Sequence, residues 1–392
     1  MATSLVMSCH QAPREVYGFI ATLGNDTVSA ERVTRQANSI TTDEVDRFPR
    51  VHVRHTVIRL QPDGSIRHLE MDIHTPSEPP DERDRKVVAD VSGNEVRLTK
   101  TDRSGTVTRT FKTGGAPVVG HVPQMYSLYE IYFATALRHA AGTGKGSGKP
   151  VALRQFYIDR EFDHFPLGDV SVTPVAGGKM EVVHDWLSGT GEATVDTAGQ
   201  LMQYSGERTT YKVHVTRVIP PPDVTGIAQR YESLESQAGA VKPLSIRDTL
   251  SARIGDASFT VEYGRPLERG RRLLGDVIPY DHVWRTGANA ATIFTTSVPI
   301  RLAGLDVPAG SYSLWTVPHT GGTDLIVNRQ TGQWGTEYDG TRNLGIARMT
   351  SDSLAAPTEM FTTQIVPGPD PRHGTLIFSW GTFRWTAPVE LK

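Results

Sequence analysis

Short segments in which apolar and polar residues alternate dominate the chain. They recur over 50–60, 87–91 and 209–218, and again over 258–263, 292–297, 311–317, 324–328, 360–366 and 375–380. A period of two puts one face of a strand against a core and the other in water. Turn signals separate the early segments: Gly24-Asn25-Asp26, Pro62-Asp63-Gly64, Ser92-Gly93-Asn94, Arg103-Ser104-Gly105, Gly177-Gly178 and Ala198-Gly199. Strands joined by such turns predict an antiparallel meander. The expected fold class is mainly β. The N-terminal part predicts an antiparallel curved sheet or half-barrel with one packed helix, and the C-terminal part a β-sandwich or jelly-roll-like domain.

That one helix is predicted over 123–141. Leu128, Tyr129, Ile131, Tyr132, Phe133, Ala136 and Leu137 form a broad apolar stripe at i, i+3, i+4 spacing. It is expected to pack on the concave face of the sheet. The following GTGKGSGKP at 142–150 predicts a flexible loop. It is not a phosphate-binding loop, because the glycine spacing is wrong and Pro150 follows Gly-Lys where Ser or Thr belongs. Ile219-Pro220-Pro221-Pro222 cannot continue a central strand. The expected organisation is a meander domain over 10–218, a Pro-rich linker over 219–243 with a short helix near 224–239, and a second domain over 244–392.

A length of 392 residues fits two to three domains at roughly 150 residues each. Lys+Arg 41 against Asp+Glu 43 gives a net charge of -2 and no electrostatic case for nucleic acid. No apolar run is long enough for a transmembrane helix. The single cysteine, Cys9, excludes an intrachain disulfide. Its context, Leu5-Val6-Met7-Ser8-Cys9, looks like the end of a lipoprotein cleavage motif. It suggests an exported protein of the cell envelope or periplasm with a lipid anchor at Cys9. An incidental cysteine near the terminus is the alternative.

Candidate chemistry concentrates in YGRPLERGRRLLGDVIPYDHVWRTGANAAT at 263–292. Arg265, Arg269, Arg271, Arg272 and Arg285 lie here among Tyr263, Tyr280 and Trp284. Arginine offers a planar fork of donors suited to carboxylates, phosphates and sugar hydroxyls. The competing reading makes Tyr280 and Trp284 core residues and pairs the arginines with Glu262, Glu268, Asp276 and Asp281.

The motifs come in a set order: YGRP at 263–266, RGR at 269–271, PYDHVWRTGAN at 279–289, PAGSYSL at 308–314, Asn328 to Trp334-Gly335, and a closing tryptophan strand at 376–380. This series resembles the signature of a bacterial domain family catalogued only as a numbered domain of unknown function. The resemblance covers roughly 243–391. It implies a fold and a candidate surface, not an activity. Where the family pattern carries Glu after GAN, this chain has Ala290.

A second candidate lies on one strand of the first domain. Alternation puts Leu69, Met71 and Ile73 on one face and His68, Glu70, Asp72 and His74 on the other. Such groups can hold a divalent metal or act as acid and base. Asp163 and His164 have the same character, as do His184 and Asp185. A solvated face of alternating charge is the competing reading. No G-x-S-x-G elbow is present. Trp334 sits in a loop-like context and is a candidate ligand platform.

The leading expectation is a binding module for a polar or anionic small molecule or a glycan, held by Arg265, Arg269, Arg271, Tyr280, Trp284, Arg285, Thr286, Asn289 and Trp334. The rival is a hydrolase of an ester, phosphoester or glycoside, with His68, Glu70, Asp72, His74, Asp163 and His164 as the site and a divalent metal as a possible cofactor. A purely structural envelope scaffold is the third.

Overall fold

The structure, a computed structural model, describes residues 14–47, 50–142, 148–158, 167–185, 187, 189–238 and 245–392. Cys9, Asp163 and His164 lie outside the described residues, as does most of the loop at 142–150. The chain divides into two compact units, Met1–Val241 and Lys242–Lys392.

The first unit is one long antiparallel meander. Eight strands follow one another as hairpins: β1 (Glu15–Leu23), β2 (Asp26–Gln36), β3 (Ser39–Asp46), β4 (His52–Leu60), β5 (Ile66–His74), β6 (Asp84–Ser92), β7 (Glu95–Asp102) and β8 (Gly105–Lys112). The chain then makes β9 (Val118–His121) and the helix α1 (Tyr126–Gly142), and crosses to β10 (Val151–Tyr157), which runs parallel to β9. A second meander follows through β11 (Leu167–Val175), β12 (Lys179–His184), β13 (Gly191–Val195), β14 (Leu201–Ser205) and β15 (His214–Val218). β15 pairs with β1, so both meanders form one 15-stranded sheet. The sheet curls: Gly120 of β9 sits against Ile66 of β5, where a Cβ would lie 3.3 Å from the Ile66 Cδ1.

The expected helix is present, but it is buried on more than one stripe. Every residue from Tyr126 to Ala136 is buried. A helix enclosed through this stretch must neutralise the one charged group there internally. Glu130 accepts from the Tyr17 hydroxyl at 2.6 Å, from the Leu201 amide at 3.1 Å and from Arg217 at 3.2 Å, and it pairs with Arg35.

The segment expected as a linker carries a docked helix, α2 (Val224–Ala238). Val224, Ala228 and Tyr231 pack on Ala30, Val45 and Val51, on the outer side of β2 and β3. Apolar residues one turn apart on α2 favour burial over a free connector.

The second unit is also a single sheet, of nine strands. Its members are β16 (Ser245–Ile254), β17 (Ala257–Pro266), β18 (Thr292–Thr296), β19 (Ile300–Leu302), β20 (Leu305–Val307), β21 (Gly310–His319), β22 (Gly322–Asn328), β23 (Asn343–Pro367) and β24 (His373–Leu391). The spatial order is β16-β17-β18-β21-β22-β23-β24-β19-β20. β23 pairs with β22 through its first part and with β24 through the rest, with register shifts after Ser353 and Thr358. Those irregularities let the sheet fold over a core that includes Phe259, Phe294, Leu314, Phe361, Phe378 and Trp380. No helix among the described residues is long and apolar enough to cross a membrane.

Candidate functional site

Between β17 and β18 the chain is irregular, and four non-glycine residues take positive φ: Arg269 at 55°, Asp281 at 61°, Thr286 at 51° and Asn289 at 62°. Such backbone is held only where its surroundings fix it. Here the fixing partner is β21. Trp284 and Thr316 exchange both backbone hydrogen bonds, at 2.8 and 2.9 Å, and Asp281 N donates to Pro318 O at 2.8 Å. The segment thus prolongs the pairing of β21 beyond its contact with β18, and its side chains alternate between the two faces.

Trp284 points inward. It is 9% exposed, stacks on Trp380 with centroids 6.0 Å apart and planes at 12°, and meets Phe361 edge-on. Trp284 is therefore packed as core and presents no platform to a ligand. Thr286 is fully buried, donating to Thr316 Oγ1 at 3.2 Å, while its carbonyl accepts from Thr292 Oγ1 at 2.7 Å.

Arg285, the next residue, lies on the outer face. Its side chain runs beneath Gly335: a Cβ on Gly335 would lie 2.0 Å from Arg285 Cδ and 2.3 Å from Asn289 O. The loop over it is pinned by Gly335 N to Asn289 O at 2.9 Å, by Ala291 N to Gln333 O at 3.2 Å and by Gln333 Nε2 to Ser313 Oγ at 3.0 Å. Trp315, Ile326 and Ala291, with Val317 and Tyr338, make a small apolar cluster on this face. Trp334, at the turn of the loop, is 51% exposed. Arg285 has no ion-pair or hydrogen-bond partner among the described residues, and its Nε is buried. Burial pulls its pKa down from the usual guanidinium value.

The other arginines are committed elsewhere. Arg265 donates to Asp248 at 2.8 Å, Phe361 O at 3.1 Å and Thr362 Oγ1 at 3.0 Å, tying β17 to β16 and β23. Arg271 caps its own turn through Leu267 O at 2.6 Å and Glu268 O at 3.0 Å. Arg269 is nearly buried, and its amide donates to Glu359 at 3.0 Å. Tyr280 is half-buried beside Gly275. The expected surface thus separates: Arg285, Asn289 and Trp334 come together, while Arg265, Arg269 and Arg271 brace the fold.

In the first unit, Leu69, Met71 and Ile73 are buried, and His68, Glu70, Asp72 and His74 face outward. His68 pairs with Asp90 at 2.8 Å, His74 with Asp84 at 2.6 Å, and Glu70 with Lys86. These are solvent-facing hydrogen-bonded pairs, and no group of three or more metal-ligating side chains occurs among the described residues. Asp72 and His74 line a groove of about 810 Å³ along α2, together with Asp43, His55, Asp84 and Glu232. His184 and Asp185 are bridged by Gln155, which meets the His184 Nδ1 at 3.2 Å and donates to Asp185 at 3.0 Å. Burial lowers His184 to about 4, so it is neutral at neutral pH.

Residues 245–389 match the family model of DUF2911, a protein of unknown function. The DUF2911 region begins at β16 and runs into β24, so it contains Arg285, Asn289, Gly335 and Trp334. A search of curated proteins finds no match. Among solved structures, a DUF1089 family protein from Pseudomonas aeruginosa shares 12% identity, covering 53% of this chain and 97% of that chain with a TM-score of 0.35. A β-barrel-like protein of DUF1849 from Brucella abortus shares 12% identity over 52% of this chain and 95% of its own, with a TM-score of 0.31.

Sequence reasoning missed a set of ionisable groups inside the first unit. Glu31, Glu44, Asp46, His52 and Arg54 are all buried on adjacent strands. The available signal was parity: Glu31 and Glu44 alternate with Ala30 and Val45, residues that themselves demand burial.

Proposed function

We propose that the DUF2911 region binds a small anionic ligand, a carboxylate or a phosphate, free or carried on a sugar, at Arg285. Asn289 and Trp334 flank it, the first as a polar neighbour and the second as an exposed aromatic surface. One observation carries this reading: Arg285 is a half-buried arginine whose Nε is enclosed without a partner, and no carboxylate pairs with it among the described residues. An unpaired charge drawn from water is costly, and a counter-ion relieves that cost. Ala290, which pairs with Trp334 in the adjoining bridge, contributes no carboxylate that could supply one internally. In the accompanying proposal from the sequence around Cys9, the protein works in the cell envelope.

The test is calorimetric titration of the full chain with acetate, citrate, phosphate and a uronic acid. Wild type should bind at least one of these anions, and Arg285→Ala should lose that binding while retaining its melting transition. Equal binding by the variant sinks the proposal. The hydrolase reading is favoured by one feature, the groove bearing Asp72 and His74. It requires turnover of an ester, phosphoester or glycoside that His74→Ala removes.

A further inference from the structure

The buried ionisable set in the first unit contains more carboxyl than cation. Glu31 on β2 and Glu44 on β3 are direct cross-strand partners, and both are fully buried. Directly opposed side chains stand about 5 Å apart at Cβ, where like charges repel. On β4, Arg54 donates to Glu44 at 2.7 Å and also pairs with Asp46, which meets His52 at 3.0 Å. Glu31 has no cationic partner among the described residues. Its oxygens accept instead from the backbone amides of Tyr126 and Ser127, the first turn of α1. Ser29, two residues earlier, donates to Gln124 O at 2.9 Å. The start of α1 is therefore docked on β2 through Ser29 and Glu31.

Other titratable groups bear on Glu31 from every side. From α1 come Glu130, itself neutralised by Arg35 and Arg217, and Tyr126. Tyr204 on β14 and Tyr211 lie against Tyr126 in turn. None of these adds a positive charge to the Glu31–Glu44 pair, whose one cationic contact among the described residues is Arg54 on Glu44. Glu44 Oε1 has no partner among the described residues, and neither do the hydroxyls of Thr42 and Thr56, which pair in the next row of the same face.

We propose that the Glu31–Glu44 pair is a proton-operated latch: a proton held on this pair keeps β2 and β3 closed on the first turn of α1, and its loss loosens the helix. Burial pushes Glu31 up to about 7, against the pull of the two amides, and pushes Glu44 well above the usual carboxylate range. Both groups bind protons more tightly folded than unfolded. The Glu31 contribution is complete below the ordinary carboxylate pKa and is lost as pH rises through about 7.

Hydrogen exchange of the full chain, read by mass spectrometry on peptides from 126–142 and corrected for intrinsic exchange rates, tests the latch. Protection should fall about tenfold between pH 6 and pH 8.5, the linkage of one carboxyl moved from 4.5 to about 7. Glu44→Gln removes the opposed carboxyl, leaves the Glu31 cap in place and should move the fall to lower pH, while the burial of Glu31 keeps part of it. Glu31→Gln should flatten the dependence. Wild-type protection that is equal at both pH values overturns the proposal, and so does a Glu44→Gln variant that falls at the same pH as wild type does. If Glu31→Gln fails to fold, the Glu44→Gln comparison decides alone.

Discussion

Gly335 lies so close over Arg285 that a Cβ at that position would stand 2.0 Å from the arginine Cδ. Two distant motifs of the DUF2911 region, WRTGAN and the Trp334-Gly335 pair, thus interlock here. The glycine is required because the long stem of Arg285 occupies the space that any larger residue needs.

Gly335→Ala should therefore act on both stability and binding. Overpacking of this kind costs roughly 1–3 kcal/mol. Urea unfolding of the variant should show that loss, and titration with the anion that wild type binds should show weaker affinity. A variant with wild-type values in both measurements would falsify the interlock.

Arg285→Met separates a ligand site from a structural staple. Methionine keeps the length of the stem and removes a charge that has no partner among the described residues. The melting temperature without ligand should hold or rise, since a half-buried charge is removed. A fall of several degrees would mean that Arg285 holds the fold through a contact of its own, which is the scaffold reading.

Trp284→Ala should be severe and unspecific. The indole is packed between Trp380, Phe361 and Trp385. Truncation of a buried tryptophan costs about 3–5 kcal/mol, which chemical denaturation of the full chain would register. Wild-type stability in this variant would return Trp284 to the list of surface residues.

His319 should titrate high. Its two ring nitrogens meet Asp281 at 2.5 Å and Asp324 at 3.1 Å, and these hydrogen bonds raise its pKa above the ordinary 6.5. The imidazolium is then favoured by the fold. Its contribution is complete below the unfolded value and disappears as pH rises through the higher folded one. The proton resonances of the imidazole, followed by NMR against pH, should give a midpoint above that of a free histidine; a midpoint at or below it rejects the clamp.

Alternation and turn residues made the β class legible, because period two and Gly-Asn-Asp turns act locally. The helix at 126–142 was equally visible from Leu128, Tyr132 and Phe133. Less was visible where the determinant is a partner far along the chain. Trp284 and Arg285 are sequence neighbours of similar promise, yet pairing with Thr316 sends one into the core and leaves the other outside. Arg265 and Arg271 look alike in composition, but they are consumed by Asp248, Phe361 and the carbonyls of their own turn. The buried Glu31 and Glu44 were hidden for a related reason. Charged residues in a strand normally mark a wet face, and only the docking of α1 closes that face here.

Strand β1 carries a burden that only appears during synthesis. Gly18 pairs with Arg32 on one side and with Val218 on the other. The first meander is complete at β8, while the second partner of β1 emerges about a hundred residues later. At roughly 5–20 residues per second this leaves an interval on the order of ten seconds. Throughout it, the edge bearing Tyr17, Phe19 and Ala21 is an open template for any other nascent chain. In the finished sheet the outermost strands are the four-residue β9 and β8, whose exposed threonines and Arg109 make a poor template. The vulnerable moment of this protein therefore belongs to the ribosome, at a strand that the mature fold hides in the middle of its sheet.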